Sequence, residues 1–340
     1  MSVTLKDIAD ELNISTNAVS RALRNMPDIS QETTSLVHQT AERLGYRKNI
    51  AASCLKTSKS MMFGIVVPDI CNPVFSYMYK GIEKICSQTN YSLMLGNSNE
   101  NPKEENTMID NMIAHGVDGI FIVPGKQSVS QYSQLSKTNI PYVVLQRKNF
   151  SSYASFVQSD DYEGGYLAAK HLYELGHREF VLIFPDMSIS SSKDRYDGFV
   201  SYLSNQGLSA DNISFLECNG TRADGYAVTV DWLRQQHTIN KLSATAIFCF
   251  SDYIAYGVYS ALLEHGLSIP EDISVVGYDN NEYSNIIYPA LTTVDILPYD
   301  IGIHSAKLML KLITEKSAPT PRNNTNIVIS PKLIVRKSTQ

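Results

Sequence analysis

Residues 15–24, STNAVSRALR, gather hydroxyls, a carboxamide and two guanidinium groups into one short helical phrase. Ala18, Val19, Ala22 and Leu23 recur at helical spacing on one face, which leaves Thr16, Asn17, Ser20, Arg21 and Arg24 on the other. That outer set has the chemistry to read a DNA duplex. A planar fork such as that of Arg21 fits guanine O6 and N7, and a carboxamide such as that of Asn17 fits adenine N6 and N7. The short hydroxyls of Ser15, Thr16 and Ser20 suit phosphates or base edges. The plainer alternative is a solvated helical hairpin, and the segment just downstream weighs against it. Residues 46–60, YRKNIAASCLKTSKS, are basic and polar, and the one helical stretch within them, 50–56, is too short to persist in water without a partner.

Enzyme chemistry finds little support. No G-x-G-x-x-G follows the first strand of the core, and the S-x-x-K at 190–193 lacks its companion motifs. The seven histidines form no H-E-x-x-H, and His177, in a Gly-His-Arg turn, reads as a structural cap. Five cysteines, odd in number and never in C-x-x-C spacing, point to buried or idle thiols rather than a disulfide frame or zinc site, so no metal or cofactor is expected. Most of the 20 tyrosines, Tyr77, Tyr79, Tyr166 and Tyr202 among them, fall at helical spacing and read as core or interface.

The elements that must position these groups follow from caps and periodicity. Thr4 caps a first helix whose apolar face is Leu5, Ile8, Ala9 and Leu12, Asn13 tolerates a left-handed turn, and Ser15 caps the second helix. A third helix runs from Ser30 to Leu44, with Leu36, Val37, Ala41 and Leu44 inward and Gly45 as its stop. From Met61 apolar strands alternate with amphipathic helices. Strands are expected at 63–68, 92–96, 119–123, 142–145, 155–157, 179–184, 213–216, 246–250 and 273–278. Helices are expected at 75–89, 103–115, 161–175, 193–206, 222–236, 252–265 and 299–315. That alternation implies an α/β class with parallel sheets covered on both faces, too many strands for one sheet, and a ligand cleft beyond the strands' carboxyl ends between two lobes.

Charge divides the chain in the same place. The net charge is −5 over 340 residues, yet residues 1–60 hold eight Lys and Arg against six Asp and Glu, and the remainder 21 against 28. Any contact with nucleic acid is therefore local. No membrane-length apolar run and no export signal are present, so a cytosolic protein without membrane contact is expected.

Taken in order, TLKDIADELNISTNAVSRALRN, ISQETTSLVHQTAERLGY, AASCLK, GIVVPDICNPVF, GHREFVLI, SDYIAYG, ISVVGYDNNE and LTTV resemble the landmarks of the LacI/GalR family of bacterial transcription repressors over almost the whole chain. The resemblance implies a helix-turn-helix head piece at 1–46, a hinge at 47–60 and a core at 61–340 built of two doubly wound, parallel-sheet lobes like those of periplasmic binding proteins. The first lobe would hold about 61–158 and 294–323, the second about 159–293 and 324–340, with crossings near Ser159, Thr293 and Asn324. It implies a homodimer on double-stranded operator DNA, contacted through Thr4, Ser15, Thr16, Asn17, Ser20, Arg21, Leu55 and Lys56, with Leu55 wedging into the minor groove. Lys48, Ser53 and Cys54 depart from the family's hinge pattern. Effector-binding residues carried over are Phe75, Gln146, Arg147, Arg195, Ser251 and Asp279, and the effector class implied is a sugar, sugar phosphate or purine-like ring. Gln146 replaces a frequent aspartate and Ser251 a frequent asparagine, while Arg147 with Arg195 would tolerate an anion. The competing reading of Arg195 and Asp279 is an interlobe or helix-cap ion pair. The rival from another class is a sugar-binding receptor or carbohydrate-processing enzyme on the same bilobed core, for which residues 1–60 would have no purpose.

Overall fold

The computed structural model describes residues 3–47, 59–125, 135, 138, 140–147, 154–237, 242–315 and 325–340. Leu55 and Lys56, together with Lys48, Ser53 and Cys54, lie outside the described residues. The chain divides into two units, Met1–Ser60 and Met61–Gln340.

The first unit carries α1 (Leu5–Leu12), α2 (Thr16–Ala22) and α3 (Gln31–Leu44). Each start is fixed by a short polar side chain that satisfies a helix-end N–H. Thr4 and Asp7 form a reciprocal box, the Thr4 N–H donating to Asp7 Oδ2 at 2.7 Å and the Asp7 N–H to Thr4 Oγ1 at 3.4 Å. Ser15 Oγ accepts from Ala18 N–H at 3.1 Å, and Ser30 Oγ accepts from Thr33 N–H at 3.1 Å. Asn13 ends α1 in the left-handed region at φ 53°, and Gly45 ends α3 at φ 69°. Ile8, Ala9, Val19, Ala22, Val37 and Ala41 form the small core. Leu36 departs from expectation: it is 49% exposed, and Thr40 is buried in its stead. The inward stripe of α3 runs Val37, Thr40, Ala41, Leu44, and Leu36 sits one residue, about 100°, off it.

The second unit contains β1 (Met62–Val67), α4 (Pro73–Gln88), β2 (Ser92–Asn97), α5 (Pro102–Ala114), β3 (Gly119–Ile122), β4 (Tyr142–Leu145), β5 (Ser155–Ser159), α6 (Asp161–Glu174), β6 (Phe180–Phe184), α7 (Ser190–Asn205), β7 (Ile213–Glu217), α8 (Arg222–His237), β8 (Ala246–Cys249), α9 (Asp252–Glu264), β9 (Ser274–Tyr278), β10 (Thr292–Asp295), α10 (Pro298–Glu315), β11 (Asn326–Ile329) and β12 (Lys332–Ile334). They build two six-stranded sheets, ordered β11-β5-β4-β3-β1-β2 and β12-β10-β9-β8-β6-β7. Every pairing is parallel except β10 with β12. Central strands such as β3, β6, β8 and β9 are buried along their whole length, as helices on both faces require.

The chain passes between the two sheets after Ser159, after Asp295 and between Ile329 and Lys332. The second lies near Thr293, two residues on, because β10 belongs to the second sheet through Asp295. The third differs from the resemblance. β11 pairs with β5 from Asn326 to Ile329, which keeps residues 325–329 in the first lobe and moves the last crossing downstream of Asn324.

Close helix contact sets the site's frame. A Cβ on Gly165 of α6 would lie 2.0 Å from the Arg195 carbonyl, and one on Gly198 of α7 would lie 2.0 Å from that of Tyr162. Only glycine at both points lets these helices pack backbone to backbone.

Candidate functional site

A cavity of about 520 Å³ opens at the carboxyl ends of strands from both sheets. Phe75, Gln146, Arg147, Arg195, Ser251 and Asp279 all line it.

Arg195 projects from α7 and is 2% exposed. Its Nε donates to Asp161 Oδ1 at 2.8 Å and its Nη1 to the Phe250 carbonyl at 2.5 Å. The guanidinium lies between two aromatic faces, 3.6 Å from the Tyr278 centroid and 4.2 Å from that of Phe250. Nη2 has no acceptor among the described residues. Asp161 Oδ1 also accepts from Tyr278 Oη at 3.2 Å and Gln146 Nε2 at 3.5 Å. Burial pushes the Asp161 carboxyl above its ordinary range, and Arg195 opposes that push. Arg195 is thus ion-paired, but with a partner behind it on the second lobe while it still faces the cavity.

Asp279 sits just beyond β9 with φ 106°, a conformation that L side chains rarely adopt. Its N–H donates to the Val294 carbonyl at 2.7 Å, while its carboxylate finds no hydrogen-bond donor among the described residues. Burial drives its pKa well up; Arg195 pulls it down, and the carboxylates of Asp252, Asp161 and Asp295 add to the rise. Asp252 holds the loop in place, accepting from Asn281 N–H at 2.7 Å and from the Ser284 and Thr293 hydroxyls at 2.6 Å each. Burial still lifts Asp252 to about 6 against those three donors. Beside it, Ser251 caps α9 by accepting from Ile254 N–H at 3.2 Å.

The first lobe contributes Phe75, in the first turn of α4, and the end of β4. Gln146 turns the chain at φ 58° and accepts from Ser159 N–H at 3.3 Å. Arg147 forms a two-pronged pair with Glu100 at 2.8 and 3.0 Å. Each guanidinium thus holds a carboxylate, Arg147 that of Glu100 and Arg195 that of Asp161. At the lobe junction Tyr77 Oη, on α4, donates to Glu282 Oε2 at 2.9 Å, which also raises the phenol's pKa.

Sequence reasoning missed Asp161, Glu100, Tyr278, Phe250 and Asp252. Tyr278 and Phe250 were within reach, as direct neighbours of Asp279 and Ser251 in the chain. Asp161 and Glu100 gave no local signal, since their arginines lie 34 and 47 residues away.

On the head, Thr16, Asn17 and Arg24 are exposed and Ser20 and Arg21 half-buried. Arg21 pairs with Asp28, and its buried Nε has no hydrogen-bond partner among the described residues. Thr4 donates its hydroxyl to Asp7 Oδ2 at 2.8 Å, whereas Ser15 Oγ caps α2 as an acceptor.

The other motifs have structural places. His177 is within 2.8 Å of Thr245 Oγ1 and 3.1 Å of Ser274 Oγ, Lys193 pairs with Asp197, and Tyr166 meets Tyr202 edge to face at 5.0 Å. Cys71 is exposed and Cys86, Cys218 and Cys249 are buried thiols. Among the described residues no cluster of His, Cys, Asp and Glu could hold a metal, and no helix is long and apolar enough to cross a membrane.

Comparison with known proteins adds lineage. Residues 4–49 match the model described as "Bacterial regulatory proteins, lacI family" and residues 169–339 that of a "Periplasmic binding protein-like domain". The chain is 31% identical over 335 residues to the HTH-type transcriptional repressor PurR of Actinobacillus pleuropneumoniae serotype 3 (strain JL03), covering 98% of each. The same repressor of Pasteurella multocida (strain Pm70) is 31% identical over 336 residues, again covering 98% of each. Among solved structures, a LacI family regulator from Enterococcus faecium with bound ribose aligns at TM-score 0.72 and 31% identity, covering 82% of this chain and 98% of that one. The lac repressor dimer bound to operator and the anti-inducer ONPF aligns at TM-score 0.86 and 25% identity, covering 100% of this chain and 99% of that one.

Proposed function

Because the chain belongs to the LacI family of bacterial transcriptional regulators, we propose that it is a homodimer whose hold on an operator is set by a sugar or sugar derivative in the cleft. As a DNA-binding transcriptional repressor of that family, it carries its ligand-binding domain at 61–340 and its helix-turn-helix before it. The observation that carries the effector reading is Asp279, a buried carboxyl group on the cavity wall with no hydrogen-bond donor among the described residues. A ligand hydroxyl supplies the missing donor, and Arg195 Nη2 supplies a fork tip for a ligand oxygen. Phe75 and Phe250 offer apolar faces to the C–H side of a sugar ring. The Enterococcus faecium neighbour holds ribose, which supports the same class.

The cycle follows from population shift. A ligand that touches both lobes favours their closed arrangement by the difference in its affinity for the two states. Closure changes how far apart the two hinges of a dimer stand, and so the fraction of dimers able to engage both half-sites at once. On the DNA side, Thr16, Asn17, Ser20 and Arg21 face the major groove, Thr4 and Ser15 the phosphates, and Leu55 with Lys56 the minor groove.

The test is a thermal-shift screen of sugars and purine bases on the intact chain, since a ligand of the native state raises its melting point. Hits are then added to operator binding. A sugar that stabilises wild type and not Arg195→Ala, and alters operator affinity, supports the reading. A purine base that does so instead moves the assignment to a ring-stacking ligand between Phe75 and Phe250.

A further inference from the structure

Arg147 does not present its charge to the cleft bare. Nη1 and Nη2 donate to Glu100 Oε2 and Oε1 at 3.0 and 2.8 Å, and Nη1 donates also to the Pro124 carbonyl at 2.8 Å. The Glu100 side chain is 25% exposed against 9% for that of Arg147, so the carboxylate is the outer member of the pair. Its backbone is built for the position. Asn99 and Glu100 both lie in the left-handed region, at φ 52° and 54°, which is uncommon for any residue but glycine. Asn99 is locked there, accepting from Asn97 Nδ2 at 2.6 Å and donating to Glu104 Oε2 at 2.7 Å. The second cation of the lining, Arg195, is paired with Asp161, and Asp69 and Asp279 add two more carboxylates to the wall.

We infer that Glu100 is a specificity-determining residue: it masks Arg147, so that the cleft admits neutral hydroxylated ligands and turns away phosphorylated or carboxylated ones. The inference rests on the reading of the cavity as the effector site. A neutral hydroxyl gains from the pair as it stands, donating to the carboxylate and accepting from the guanidinium. An anion must instead displace a two-pronged carboxylate and then lie near Glu100 and Asp69, both of its own sign.

The experiment titrates inorganic phosphate into the intact protein at constant ionic strength, by calorimetry, for wild type, Glu100→Gln and Glu100→Gln with Arg147→Gln. The single variant binds phosphate about tenfold or more tighter than wild type, as a newly available charge-assisted fork implies, and the double variant returns to the wild-type level. Glu100→Ala, which unmasks the same guanidinium, stands in if the glutamine variant does not fold. Wild-type affinity equal to that of the single variant, or no gain in either Glu100 variant, overturns the inference. Phosphate reports on the masking whatever the natural effector is. Failure here therefore leaves the sugar reading standing, and failure of every sugar to alter operator binding leaves this result standing.

Discussion

Replacing Arg195 with methionine is the sharpest perturbation of the cleft wall, because the arginine is tied to so much of it. Methionine keeps much of the volume and fills irregular space, so the change reports mainly on charge and hydrogen bonding. Removing one partner of a buried ion pair costs about 3–5 kcal/mol, since Asp161 is left charged and underpaired. The two ring-face contacts at 3.6 and 4.2 Å add about 0.5–2 kcal/mol between them. In a core of this size one kcal/mol moves the melting point by roughly 2–4 °C, so the variant should melt about 10–20 °C below wild type. The deficit depends on pH. Burial already raises the Asp161 carboxyl, and without Arg195 the rise is larger. A carboxyl whose folded pKa lies above its unfolded one stabilises the fold when protonated and loses that contribution as pH climbs through the folded value. The gap to wild type therefore narrows as pH falls. Thermal melts of wild type, Arg195→Met, Asp161→Asn and the double variant complete the cycle, in which the double variant, with neither charge of the pair left, should be more stable than Arg195→Met alone. A double variant no more stable than the single one, or a deficit unchanged with pH, refutes the account of this wall.

Arg21→Ala should weaken operator binding by roughly 1–3 kcal/mol while leaving binding to random DNA nearly intact, as measured by fluorescence anisotropy; equal losses on both would remove Arg21 from base reading. Asp28→Asn should raise operator affinity by up to about 1 kcal/mol, because the surface pair that competes for the guanidinium is gone; weaker binding would show that Asp28 orients Arg21. Asp252, held at about 6 against an ordinary 3.8, gives wild type a contribution that is full below the lower value and lost as pH rises through the upper one. The stability of wild type relative to Asp252→Asn should fall by up to about 3 kcal/mol across that window, and a flat difference in denaturant melts would contradict the assignment.

What the sequence made legible was local. Caps at Thr4, Ser15 and Ser30 and the left-handed stops at Asn13 and Gly45 announce the head's helices, because each satisfies backbone groups within a few residues. Long apolar runs such as 180–184 and 246–249 announce buried parallel strands. β10, β11 and β12 escaped: β10 is a four-residue strand begun by two threonines, and β11 and β12 are short edge strands, the first alternating half-buried and exposed, whose pairing with β5 and β10 depends on where the chain returns. The same limit hid the partners in the cleft. The types of Arg147 and Arg195 were readable as anion-binding forks, but their neutralisation by Glu100 and Asp161 is a product of topology. Leu36 shows the limit within one helix, where a one-residue shift of phase separates core from solvent.

The most direct test of the central claim, that a ligand in the cleft governs operator binding by the head, is selection of genomic fragments by the intact protein with and without a cleft ligand. The predicted result is retention of particular fragments, weakening steeply as salt rises. The ligand should alter that retention in wild type and leave Arg195→Met unaffected. Retention that is the same with the cleft filled or empty, or that survives deletion of residues 1–60, would contradict it.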